Sequence, residues 1–64
     1  MIDRHELRTL YSTACHGAGA PARTLARQTL ELMLLRAGLS MRDAFEDNGL
    51  CIHTYFASRP IAQD

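Results

Sequence analysis

Four side chains in this sequence have the chemistry of a metal centre: Cys15, His16, Cys51 and His53. Two thiolates and two imidazoles are the ligand count of a structural zinc site. Their spacing argues against one. Cys15 and His16 are neighbours, so their side chains diverge at a helix end, and Cys51-x-His53 can chelate from a strand but not readily from a helix. The expectation is no metal and no cofactor, with two buried cysteines and two surface histidines. A Cys15–Cys51 disulfide is not expected in a reducing compartment. Nor do Cys15 and His16 form a nucleophile–base pair, which needs partners that meet in space and a third group to orient them. Gly17-x-Gly19 follows a helix rather than a strand, which is the wrong context for a phosphate-binding turn. With 64 residues there is little room for an enclosed substrate pocket. No catalytic residue is expected.

The elements that would position these groups read as helices. Asp3 can cap the first, with Glu6 three residues on as in a capping box and Ile2 and Leu7 placed as a hydrophobic staple. Leu7, Leu10, Tyr11, Ala14 and Cys15 recur at helical spacing, which predicts a helix over 4–15. Gly17 to Pro21 is a loop, and Pro21 suits the first turn of a second helix running from Pro21 to Ala37 and ended by Gly38. On this helix Leu25, Ala26, Leu30, Leu32, Met33 and Leu34 cover a stripe roughly 200° wide, where a surface helix needs about 100°. So broad a stripe makes the helix the central element, with Leu25, Leu32 and Met33 in the core. It also leaves surplus apolar surface on Leu34 and Leu35 for a partner or a twin subunit.

Ser40 opens a third helix, Met41 to Asp47, with Asp43 at the capping-box position and Asn48-Gly49 after it. Residues 50–57 are rich in Ile, Thr, Tyr and Phe, which suits a strand. A lone strand could pair only across a dimer axis or with a partner's sheet edge. As a helix, Ile52, Tyr55 and Phe56 would share a face, and the helical reading is preferred, with Pro60 as its stop and Ile61 to Asp64 as a frayed tail. The predicted fold is therefore a single all-α domain over 1–64, a small bundle of three to four short helices, with a C-terminal strand as the alternative. Leu7, Leu10 and Tyr11 would pack against the second helix, joined by Ala44, Phe45, Leu50 and Phe56.

Charge narrows the partner. Seven Arg oppose seven Asp and Glu, and there is no Lys. A dedicated nucleic-acid binder usually carries a basic excess, because phosphate contacts supply most of its non-specific affinity. Residues 1–6 lack the apolar core of a signal peptide, and the longest apolar run, Leu32 to Leu35, is far short of a membrane span. A cytoplasmic chain with no membrane partner is expected.

One stretch resembles a known class. Gly38-Leu39-Ser40, then Gly49-Leu50, then Thr54-Tyr55 resemble the helix-turn-helix of repressor domains, at matching spacing from Ser40 to Gly49. Ser40-Met41-Arg42-Asp43 and Tyr55-Phe56-Ala57-Ser58 also look like fragments of tetracycline-repressor-type domains, joined by a stretch about three residues too short for that family. The chain departs from the helix-turn-helix pattern at Phe45, Asn48 and Ser58. The resemblance implies a DNA-binding regulator using residues 40–58, with Cys51, Ile52 and His53 near the groove end, Thr54 as the threonine of the recognition helix and a further DNA-binding residue, and Arg42 and Arg59 on phosphates. Base-edge readers such as Arg, Gln or Asn are missing from Cys51 to Phe56.

The preferred expectation is a non-enzymatic module that binds a larger protein partner as an inhibitor or modulator. Small neutral chains of this character are common among accessory and phage-type proteins, anti-defence proteins included. Arg27, Glu31, Leu35, Tyr55, Phe56 and Arg59 are the expected contact residues, and a homodimer is a further possibility.

Overall fold

The computed structural model describes residues 2–59 and contains four helices: α1 (Arg4–His16), α2 (Ala20–Ala37), α3 (Met41–Asp47) and α4 (Ile52–Ala57). The chain is all-helical, with no strand among the described residues. The strand considered for residues 50–57 is thus replaced by α4. The expected stop at Pro60 and the tail Ile61–Asp64 lie outside the described residues.

Local signals set the helix ends. The Asp3 carboxylate accepts hydrogen bonds from the backbone N–H groups of His5 and Glu6, at 2.9 and 3.4 Å. Ser40 Oγ accepts from the Asp43 N–H at 3.0 Å. Each cap satisfies donors that the first helical turn leaves unpaired. α2 and α3 both end in a left-handed glycine, Gly38 at φ +70° and Gly49 at φ +68°. Behind each, the chain folds back: Leu39 N–H donates to Leu34 O at 3.0 Å, and Leu50 N–H to Phe45 O at 2.8 Å. Both are Schellman closures, and a glycine enters this backbone region without a Cβ clash.

α1 packs along α2, α4 packs against α1, and α3 touches both α2 and α4. The core holds Leu7, Ala14 and Cys15 from α1, Ala26, Leu30 and Leu34 from α2, Ala44 and Phe45 from α3, and Tyr55 from α4. Ile2, Leu10, Tyr11, Met33, Met41, Leu50 and Ile52 pack around it, partly buried.

The orientation of α2 corrects the expected core. Leu25 and Leu32 are 65% and 47% exposed, while Leu34, expected outside, is buried. The inward line is Ala26, Leu30 and Leu34, at i, i+4 and i+8, which meets α1 side by side. The neighbouring helices lie on that one side, so half of the broad apolar stripe faces outward. α4 is turned in the same way: Tyr55 is fully buried, and Phe56, expected in the core, is half exposed.

Candidate functional site

The backbones of α2 and α4 stay apart, and long side chains cross the gap between them. Tyr55 Oη donates to Glu31 Oε2 at 2.9 Å. The Arg27 guanidinium lies 4.0 Å from the centre of the Tyr55 ring, and its Nη2 donates to Ser58 Oγ at 3.3 Å. Ser58 Oγ in turn donates to Tyr55 O at 2.9 Å. Burial pushes the Tyr55 phenol well above its ordinary range, and the Glu31 carboxylate that accepts its proton pushes it further. Tyr11, Phe45 and Tyr55 form one aromatic group, with Tyr11 and Phe45 edge to face at 5.4 Å and Phe45 and Tyr55 at 5.1 Å.

This cluster corrects two expected contact residues. Tyr55 is completely buried and Arg27 is only 7% exposed, so neither side chain is presented to a partner. The reason is mutual: the ring gives the cation a face to stack on, and the cation covers the ring. Nothing in the spacing of single residues signals this pairing. Glu31, Leu35, Phe56 and Arg59 are exposed. Glu31 and Arg59 border one shallow hollow with Thr24, Arg27 and Gln28. Glu31 also borders a second, with Leu34, Leu35, Leu39 and Met41.

α3 and α4 are joined by a short turn at residues 48–51, and α1 braces that turn. Arg8 Nη1 donates to Asn48 O at 3.0 Å, and Tyr11 Oη to Cys51 O at 2.8 Å. Neither contact was legible in the sequence, since each joins residues forty positions apart. Tyr11 is raised above its ordinary range, first by burial and then by the neighbouring Cys15, with the bond to Cys51 O acting the other way. Arg42, Cys51, His53, Thr54 and Arg59 are all exposed. Between α3 and α4 runs an open groove of about 270 Å³, lined by Arg42, Glu46, Leu50, Ile52, His53 and Phe56 together with the edge of Phe45. Around it α3 carries Asp43, Glu46 and Asp47 against the single cation Arg42, and α4 carries no Arg.

The remaining sequence candidates separate in space. Cys15 is buried, and both cysteines are free thiols. Cys51, expected to be buried, is exposed and caps α4, its Sγ accepting from the Thr54 N–H at 3.5 Å. That contact draws the Cys51 thiol below its ordinary value. Among the described residues no three His, Cys, Asp or Glu side chains come together to hold a metal ion. No described helix is long and apolar enough to cross a membrane.

Among the described residues, large apolar side chains remain exposed in two places. Leu25, Leu32, Leu35 and Leu39 belong to the outer face and end of α2, and Phe56 stands at the α3–α4 groove. Comparison of the chain with protein-family models, with curated proteins and with solved structures finds no match to any of them.

Proposed function

We propose that this chain is a non-enzymatic protein-binding module that inhibits or modulates a larger protein partner, in the manner of small accessory or phage-type proteins such as anti-defence proteins. The observation that carries the reading is Phe56, half exposed at a groove whose floor is apolar and whose rim is charged. An aromatic side chain at an open groove, ringed by polar groups, is the usual anatomy of a binding hot spot. Phe56 supplies the apolar anchor, Arg42 and Glu46 the rim, and Arg59 a cation just beyond α4. Glu31 and Leu35 extend the surface on the α2 side.

Helix-turn-helix connectivity favours a second reading, a DNA-binding regulator that would use Arg42, Cys51, His53, Thr54 and Arg59. Charge weighs against it. A recognition helix and its support must approach phosphates, and here Asp43, Glu46 and Asp47 outnumber Arg42 on α3. α4 is also only six residues long, and its N-terminal residues offer few base-edge readers.

The experiment is affinity capture from host lysate with the intact chain, before and after nuclease treatment, alongside Phe56→Asp. The expected result is one dominant protein that survives nuclease and high salt and is lost with Phe56→Asp. Recovery that disappears with nuclease or falls steeply with salt overturns the reading in favour of DNA.

A further inference from the structure

The exposed residues of α2 fall into a pattern that the core does not use. Leu25, Gln28, Leu32 and Leu35 are separated by three, four and three residues, and Leu39 follows four further on, just past the helix cap. Within the helix that 3-4-3 spacing is the a/d pattern of a coiled-coil seam, and Leu39, past the left-handed Gly38, adds apolar surface at its end without continuing the helix. The seam lies on the side of α2 opposite Ala26, Leu30 and Leu34, and at its C-terminal end Leu35 and Leu39 border a hollow with Met41 of α3. Leu25, Leu32 and Leu35 are among the most exposed large apolar residues described.

We infer that the occupant of this seam is a second copy of the same chain, with the two α2 helices parallel and in register about a two-fold axis. Two features of the seam are self-complementary in that arrangement alone. Gln28 meets the partner's Gln28 across the axis. A primary amide both donates and accepts, so two of them satisfy each other; in an antiparallel pair each amide would face leucine. A polar residue at one seam position is a known means of fixing register. The flanks carry the second feature. Glu31 precedes the Leu32 layer on one side of the seam, and Arg36 follows Leu35 on the other, five residues later. In a parallel pair, that offset brings Glu31 of each chain to the partner's Arg36, twice by symmetry. An antiparallel pair sets like flanks together, and neither ion pair forms. Glu31 uses Oε2 to accept from Tyr55, and its other oxygen is left for a guanidinium. Because α2 is already held as a helix by the monomer core, docking need not supply the free energy of forming it.

The dimer shares Glu31 and Leu35 with the proposed partner surface, but it is tested separately from the partner reading, because it is measured on the purified chain and turns on Leu32 and Gln28 rather than on Phe56. Sedimentation equilibrium over a wide concentration range tests it. The wild-type chain is expected to be a dimer at the higher concentrations. Leu32→Glu is expected to raise the dissociation constant at least about 100-fold, because two leucines leave the seam together. Its far-ultraviolet circular dichroism should be unchanged, since residue 32 is not part of the core. Gln28→Cys, combined with Cys51→Ser, tests the orientation: a parallel, in-register pair oxidises to a covalent dimer on a non-reducing gel. A chain that is monomeric throughout, or a dimer indifferent to Leu32→Glu, overturns the inference. A Leu32-dependent dimer that does not cross-link at residue 28 overturns the parallel arrangement.

Discussion

Tyr55 is the point at which the last helix is tied to the rest of the molecule. Its ring sits against Phe45 and under Arg27, and its hydroxyl reaches Glu31. Removing the ring by Tyr55→Ala should cost about 3–5 kcal/mol. That equals the whole stability such a small core typically supplies, so the variant is expected to be unfolded in a chemical denaturation experiment. Tyr55→Phe removes only the hydroxyl and should cost about 0.5–1.5 kcal/mol. Its clearer signature is in pH. The folded chain holds the Tyr55 proton more tightly than the unfolded chain, so this contribution to stability is full below the ordinary tyrosine pKa of about 10. It is lost as pH rises through the folded value. Wild-type stability is therefore expected to fall above about pH 10 more steeply than that of Tyr55→Phe, with Tyr11 adding a smaller fall to both. Denaturant titrations at pH 8 and pH 11 check the difference. The thiols give a second residue-scale expectation. Cys51 is exposed with a lowered pKa and Cys15 is buried, so iodoacetamide at neutral pH should label Cys51 first and reach Cys15 only on unfolding. Peptide mass spectrometry over a labelling time course reads this directly.

At the scale of the helix, ends were more legible in the sequence than faces. Asp3, Ser40, Gly38 and Asn48-Gly49 act on backbone groups within four residues of themselves, so their meaning survives without tertiary context. The expected spans of α1 and α3 accordingly agree with the structure to within a residue. Faces depend on neighbours. The apolar residues of α2 form two stripes, and periodicity alone does not say which of them the other helices will cover. The inward choice of Ala26, Leu30 and Leu34 put Leu25 and Leu32 outside. For α4 the same ambiguity is one residue wide: a rotation of one position exchanges Tyr55 and Phe56, and the Arg27 stack that favours Tyr55 is 28 residues away in the chain. Caps can be tested separately from faces. Gly49→Ala forces a side chain into the left-handed region, with no neighbouring atom within 4 Å of the new Cβ, so strain is its main effect. A loss of about 1–2 kcal/mol is expected. Ser40→Ala should cost about 1 kcal/mol by uncapping α3. Urea titration measures both, and a neutral Gly49→Ala would mean that the α3–α4 turn has another conformation.

At the scale of the whole molecule, a chain of 64 residues buries a small core and leaves much of its longest helix outside it. The covered and uncovered faces of α2 do different work. The inner face holds the fold, and the outer face, on the inference above, joins two folds into one. A monomer's stability is independent of its concentration, while a dimer that dissociates on unfolding gains with concentration by mass action. Each tenfold increase is worth about 1.4 kcal/mol per dimer, or roughly 0.7 kcal/mol per chain. For a domain this small that shift moves the thermal midpoint by on the order of 5 °C. Thermal melts from micromolar to millimolar chain should therefore rise by several degrees per decade. In Leu32→Glu, whose core is untouched, the midpoint should be flat and should match the low-concentration limit of the wild type. Phe56→Asp should keep the wild-type dependence on concentration, because Phe56 is not in the seam, while its midpoint is lower throughout through the lost packing on Tyr55. A wild-type midpoint that does not move with concentration would make both faces of the chain available to other proteins. The partner contact at Phe56 would then share its role with the leucines of α2.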